Sequence, residues 1–249
     1  MKRLRKVFYA CVAGMSLTTT GCATIHLQGE DLPPLPRVTA QDISAADAHI
    51  AATAHEYARL ATRPYHAGET AWELAATSRA LIGRTRSGFD AAVFQKDGKC
   101  AAVFYGYNAG NDLIDVVKAG FFGVPRAQLR DAMHFTGKAA EACGVPASEM
   151  DIVGHSLGGY LAKAVATQTK VSSVWAFNSP GFKRRDPARI ERILGGAAEE
   201  AEVVGDTPIY NFNARFDVVG KWGFQPGTVY EVDTPNRHHA LSSMAEALR

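Results

Sequence analysis

The stretch Asp151-Ile152-Val153-Gly154-His155-Ser156-Leu157-Gly158-Gly159-Tyr160 constrains the fold more than any other part of the 249-residue chain. An apolar strand end runs straight into Gly-His-Ser-Leu-Gly. Leu161 to Gln168, with Ala162, Ala164 and Ala166 among them, then have the composition of a closely packed helix. A strand that turns into a helix within so few residues leaves no room for side chains at Gly154 and Gly158, and it puts Ser156 at the apex in strained backbone. The turn sets the serine hydroxyl above the sheet, at the N-terminus of a helix whose free N–H groups and dipole favour negative charge. Acyl transfer needs both features. Out of context, Gly-x-Ser-x-Gly is equally a glycine-rich turn with an incidental serine; the strand before it and the helix after it decide for a nucleophile. His155 points away from the serine in such a turn and reads as a packing or supporting residue.

Around this turn the chain alternates strands and helices. Residues 44–62 read as a helix opened by Ser44-Ala45-Ala46-Asp47, with Ile50, Ala54, Tyr57, Ala58 and Ala61 on its packing face and His49 and His55 on its solvated side. A second helix is predicted over Trp72 to Leu81. Phe89–Gln95 and Cys100–Tyr105 form a hairpin about the Asp97-Gly98 turn. Asn111 to Gly123 is expected to cross the mouth of the site. A helix from Arg126 to Ala142 stops at Cys143-Gly144, with Pro146 behind it. After the Ser156 helix come strands at Val171–Asn178, Ile209–Phe212 and Thr228–Val232, a charged surface stretch at Lys183–Arg192, and a short closing helix at Ala240–Leu248. The pattern is α/β, a mostly parallel sheet with helices on both faces and its functional groups at the C-terminal strand ends.

That geometry selects partners for the serine. A hydroxyl is a poor nucleophile unless a base near neutrality takes its proton. On strand-to-helix turns of this type the carboxylate and then the histidine follow the serine in the chain. His238 and His239 are the only histidines after Ser156, so the base is one of them. Asp217 lies just past the 209–212 strand, on the edge where site residues gather. Asp206 precedes that strand, on the wrong edge, and Asp233, ending the last strand, is the second choice. Asp217 would hold the imidazole in its tautomer and stabilise the imidazolium without taking the proton.

These residues together resemble the class 3, or fungal-type, lipases. Phe104-Tyr105-Gly106-Tyr107 stands where that family has Phe-Arg-Gly-Thr or Phe-Arg-Gly-Ser, and Asn111-Asp112-Leu113-Ile114-Asp115 is similar to its Asp-Trp-Leu-x-Asp. Gly154 to Gly159 is its Gly-His-Ser-Leu-Gly-Gly, and Phe177-Asn178-Ser179-Pro180 is similar to its Phe-Gly-Ser-Pro. Asn213 to Val218 resembles the segment carrying the acid, and His239-Ala240-Leu241-Ser242-Ser243-Met244 the histidine before the last helix. The likeness spans about residues 45 to 249. It implies the α/β-hydrolase fold, no metal or organic cofactor, and a serine esterase using Ser156, Asp217 and His239 rather than His238. The oxyanion would be held by the amides of Leu157 and Tyr107, with Gly106 the close alternative to Tyr107. Tyr105 and Tyr107 replace the family's arginine and hydroxyl residue. The replacement leaves the Tyr107 backbone N–H in place and removes the added side-chain donor. The implied substrates are lipid esters, acylglycerols or phospholipids. An esterase of non-lipid esters and an inactive lipid-anchored binding protein on the same scaffold are the alternatives.

The first residues differ in kind. Lys2, Arg3, Arg5 and Lys6 precede an apolar run from Val7 to Leu17 and then small residues through Gly21, the pattern of a signal peptide over residues 1–21. The site resembles a bacterial lipobox, with Cys22 as the lipid acceptor and Ala23 after it suggesting an outer-membrane lipoprotein; Thr19 in place of the usual leucine leaves plain secretion as the alternative. Residues 22–40, with Pro33, Pro34 and Pro36, read as an extended tether at about 3 Å per residue, and residues 41–249 as the catalytic domain. Removing residues 1–21 leaves 23 basic against 25 acidic residues, so the apparent basicity belongs to the signal and nothing argues for nucleic acid. Of the cysteines outside the leader and lipid site, Cys100 and Cys143 are placed to pair in an oxidising compartment, with two buried thiols as the alternative.

Overall fold

The computed structural model describes residues 8–9, 24–25, 41–43, 46–62, 70–106, 125–194, 207–235 and 239–249. β1 (Phe8–Tyr9) and β2 (Thr24–Ile25) pair antiparallel in a ladder of their own. Eight strands form the main sheet: β3 (Gln41–Asp42), β4 (Glu73–Thr77), β5 (Ala91–Lys96), β6 (Lys99–Phe104), β7 (Met150–His155), β8 (Ser173–Phe177), β9 (Ile209–Ala214) and β10 (Thr228–Val232). Their order is β3-β10-β9-β8-β7-β6-β5-β4. From β6 across to β3 every pairing is parallel, while β5 runs against both β4 and β6. This is the mostly parallel α/β-hydrolase sheet expected from the chain.

Alternation along the strands divides the core into two. On β6, Cys100, Ala102 and Phe104 join one cluster while Ala101 and Val103 join the other. The first cluster lies under α3 (Arg126–Cys143), α4 (Leu157–Ala166) and α5 (Asp186–Leu194), and the second under α1 (Ala48–Ala61) and α6 (Leu241–Ala247). Helices therefore cover both faces, and the sheet presents its C-terminal strand ends for a site.

Local chemistry sets most of the boundaries. Asp97 and Gly98 both take positive φ, 49° and 76°, as the two-residue hairpin turn requires. Gly144 ends α3 in the left-handed region at φ 70°, its N–H reaching the carbonyls of Ala140 and Glu141. Asp47 caps α1 by accepting the His49 N–H at 2.9 Å, while Ser44 lies outside the described residues.

Two expectations are corrected. Residues 72–81 are not one helix: Glu73–Thr77 is the edge strand β4, followed by the single-turn α2 (Ser78–Ile82), which Thr77 caps. Pairing with β5 overrides the helical preference of Glu-Leu-Ala-Ala, and the strand's mostly exposed side chains removed the alternation that would have marked it. The charged Lys183–Arg192 stretch lies at the surface as expected and carries α5, which turns only Asp186 and Ile190 inward. His55 is not simply solvated, for its Nδ1 lies 2.8 Å from the Ala245 carbonyl and joins α1 to α6.

Cys100 opens β6 and Cys143 closes α3, and their sulfurs are bonded. The link sits at the end of the sheet away from the Ser156 turn, and Gln95 Nε2 donates to the Cys143 carbonyl beside it at 3.2 Å.

Candidate active site

Ser156 stands between β7 and α4 with φ 53° and ψ −123°, outside the regions that L-residues favour. Such a conformation survives only where its surroundings overdetermine it. Here the Ser156 N–H donates to the Phe177 carbonyl at 3.0 Å, and the Ser156 carbonyl accepts from Gly159 and Tyr160 at 3.1 and 3.3 Å. The glycines leave room for the turn: a Cβ at Gly154 would lie 2.5 Å from the Gly158 backbone, and one at Gly158 only 2.1 Å from the Phe104 carbonyl oxygen. Gly106 also passes close, since its Cβ would lie 2.8 Å from the His155 carbonyl oxygen and 3.1 Å from the Ser156 Cβ. The Leu157 N–H opens α4, where helix geometry supplies no internal acceptor, so it faces the region beside the serine hydroxyl.

Three of the residues singled out in the sequence meet here. His239 Nε2 lies 3.1 Å from Ser156 Oγ, and His239 Nδ1 lies 2.9 Å from Asp217 Oδ1. Because a carboxylate only accepts, Nδ1 carries the proton and Nε2 is left to take the one on the serine. The Asp217 side chain is 1% exposed and its Oδ2 accepts the Gly220 N–H at 2.7 Å. A carboxylate so buried and bonded at both oxygens has one orientation available. Asp233, the second choice for the acid, is two-thirds exposed and pairs instead with Arg215 at 3.2 Å.

Two supporting residues hold this arrangement from behind. His155 Nε2 lies 2.9 Å from the His239 carbonyl oxygen, and the two rings stand 5.0 Å apart. Only the protonated nitrogen can serve a carbonyl, so His155 is a neutral donor. Burial, and then the neighbouring His239, lowers its pKa to about 4. Asn178, at φ 44°, gives its Oδ1 to the Ala214 N–H at 2.8 Å, and the Ala214 carbonyl accepts from Asp217 at 2.9 Å. The end of β8 thus shapes the turn that carries Asp217. The Asn178 link was not foreseen from the sequence; an asparagine at a strand end, a residue tolerant of positive φ, was the available signal.

Tyr107, Cys22, His238, Asp206 and the 108–124 stretch lie outside the described residues.

Residues 45–221, well over half of the chain, match the phospholipase-like family through its Tle-like phospholipase domain. No curated protein matches the chain. Among solved structures, the Lip2 lipase of Yarrowia lipolytica is 17% identical over 79% of this chain and 83% of that one, with a TM-score of 0.49. A Rhizomucor miehei lipase in complex with its propeptide is 14% identical over 83% of this chain and 77% of that one, at 0.48. EstE1, a thermophilic carboxylesterase cloned from a metagenomic library, is 13% identical over 84% of this chain and 100% of that one, at 0.36. The chain belongs to the phospholipase-like family as a carboxylic ester hydrolase with a Tle-like phospholipase domain.

Proposed function

We propose that this lipid ester hydrolase works through Ser156 as nucleophile, His239 as general base and acid, and Asp217 as the group that orients the imidazole. One observation carries the reading, the continuous hydrogen-bonded series from Ser156 Oγ through both nitrogens of His239 to Asp217. As Ser156 Oγ attacks the acyl carbon, its proton passes to His239 Nε2, and the imidazolium is stabilised by Asp217. The oxyanion that forms is held by the Leu157 amide, with the Tyr107 amide as second donor. The leaving alcohol takes the proton from His239 as the ester bond breaks. Water, deprotonated by His239, then attacks the acyl-enzyme; the acyl–Oγ bond breaks, Ser156 Oγ takes the proton back from His239, and the acid leaves.

The substrates we assign are glycerolipid esters, with phospholipids favoured by the family's domain. We also propose that residues 1–21 are removed on export, that Cys22 carries the lipid which holds the catalytic domain, residues 41–249, at a membrane, and that the outer membrane is its destination. Incorporation of labelled palmitate into the protein, abolished by Cys22→Ser, tests the anchor.

The test of the chemistry is hydrolysis of short- and long-chain p-nitrophenyl esters and of a phospholipid by residues 23–249, beside Ser156→Ala. The variant should lose about 10⁵- to 10⁶-fold in kcat. Equal turnover by the two proteins would rule out the serine mechanism, and preference for short acyl chains over phospholipid would move the substrate to small esters.

A further inference from the structure

Lys163 takes no part in the chemistry just described. It follows Ser156 by seven residues, two helical turns along α4, as the one charged residue of that helix, and it is completely buried. A buried ammonium ordinarily needs an anion beside it. Lys163 has no carboxylate partner among the described residues; its Nζ donates to Gln225 Oε1 at 2.6 Å and to Asn211 Oδ1 at 3.2 Å.

Both amides are locked in that orientation. Gln225 Nε2 donates to the Ser179 and Gly220 carbonyls at 2.8 and 2.9 Å, and Asn211 Nδ2 to the Pro226 and Thr228 carbonyls at 2.7 and 3.2 Å. With both N–H groups committed, each amide has only its oxygen left, and only a donor fits between them. Two acceptors match the two N–H groups of a neutral amine. Burial pushes the Lys163 pKa well below the usual lysine value, in the direction of that neutral form.

Gln225 connects this cluster to the site. The Gly220 whose carbonyl it holds donates its own N–H to Asp217 Oδ2, and Asp217 Oδ1 accepts from His239. Gly220 packs closely on β9, for a Cβ there would lie 2.5 Å from Asn213 Oδ1. An unbroken series of hydrogen bonds therefore runs from the middle of α4, through the 217–225 loop, to the imidazole. We propose that Lys163 is a positioning residue for ester hydrolysis: through Gln225 it fixes the acid-bearing loop, and so the Asp217 carboxylate, to the helix that begins at the nucleophile. The proposal rests on the reading of Ser156, His239 and Asp217 given above.

The test compares Lys163→Met, which keeps the stem and removes both donors, with Lys163→Gln, which keeps two donors on a side chain one atom shorter. Sites are counted with a fluorophosphonate, so that kcat on p-nitrophenyl butyrate refers to folded enzyme. Lys163→Met should lower kcat about 10- to 100-fold, the cost of a misplaced catalytic group, with KM within about twofold. The acid limb of its kcat/KM profile should move to lower pH, because an imidazolium without a fixed carboxylate is less stabilised. Lys163→Gln should recover part of both effects. Gln225→Leu approaches the same link from the loop and should give the same displacement. The double variant should be little worse than either single one, since both cut one series. The loop-side variant also serves if Lys163→Met does not fold. Parental kcat and an unmoved pH profile per counted site, in either single variant, would overturn the positioning role. Failure of the parent to react with the fluorophosphonate at Ser156 would instead overturn the triad reading.

Discussion

The two faces of β9 are built by opposite means from alternate residues of one short strand. Toward α1 and α6, Phe212 stacks on Trp175, Phe177 and Tyr230 with ring centroids 5.8, 5.3 and 5.2 Å apart. Toward α4, Asn211 and Asn213 are buried in place of apolar side chains, and Asn211 meets Lys163. The aromatic face is held by contacts that are large in area and indifferent to small displacements. Asn211 is held by directional bonds that are worthless when misaligned, while the buried Asn213 Oδ1 has no hydrogen-bond partner among the described residues. The first kind of packing supplies stability. The second fixes the position of a loop, and it lies under the turn that carries Asp217.

The largest test of that division is Phe212→Ala. Deleting a fully buried ring from an aromatic stack costs about 3–5 kcal/mol, and the midpoint of thermal unfolding should fall by roughly 10 °C. Per counted active site, kcat should stay within about threefold of the parent and the pH profile should not move. A displaced pH profile in this variant would mean that the two faces are not separable.

A smaller effect is expected at the top of β7, where the faces meet behind Ser156 and His239. His155 is neutral in the folded protein down to about pH 4, whereas an unfolded histidine protonates near 6.5. Between those values the unfolded chain holds more protons, so stability is fully present above pH 6.5 and is lost as the pH falls toward 4. The loss should reach roughly 3 kcal/mol, from 1.36 kcal/mol per pH unit. Denaturant unfolding at several pH values, for the parent and for His155→Gln, isolates this group from the carboxylates that titrate nearby. The variant should lose less stability on acidification. Parallel losses in both proteins would assign the acid sensitivity elsewhere.

How far these features could be read from the chain depended on whether they were local. The Ser156 turn was legible because the Gly-x-Ser-x-Gly spacing is local, and the crowding at Gly154 comes from Gly158 and Gly159 a few residues on; the Phe104 carbonyl that crowds Gly158 belongs to a distant strand. Asp217 was singled out by its place just past the 209–212 strand, and the histidine was narrowed to His238 or His239, between which the likeness to the class 3 lipases chose. β4 was not legible, because its strand character comes from pairing with β5 and its mostly exposed side chains leave no alternation. The amide seam was hidden by a false cue. Ile209-Tyr210-Asn211-Phe212-Asn213 alternates as if one face met water, whereas Asn211 and Asn213 are buried, the first against Lys163 of α4 and the second against Gly220. The cue that pointed the other way was Lys163, a lone charge in an otherwise apolar helix. Its partners lie 48 and 62 residues away, at separations that no local pattern reports.

The smallest test uses a polar contact on the aromatic side of the sheet. Tyr57 of α1 donates its hydroxyl to Asp151 Oδ2 at 2.5 Å, and Ser173 donates to Asp151 Oδ1 at 2.6 Å while accepting from Trp175 Nε1. Asp151 lies near the start of β7, four residues from His155 and at the opposite end of the strand from Ser156. Tyr57→Phe removes one donor from a partly buried carboxylate and should cost about 1–2 kcal/mol, a fall of roughly 4 °C in the unfolding midpoint. Its kcat and pH profile should match the parent, because nothing in this cluster is bonded to the loop carrying Asp217. If position rather than polarity is what the amide seam contributes, Tyr57→Phe and Gln225→Leu must separate, the first moving stability alone and the second moving the pH profile. A pH profile displaced by Tyr57→Phe would show that any buried hydrogen bond lost from this sheet disturbs the site, and the distinction between the two faces would fail.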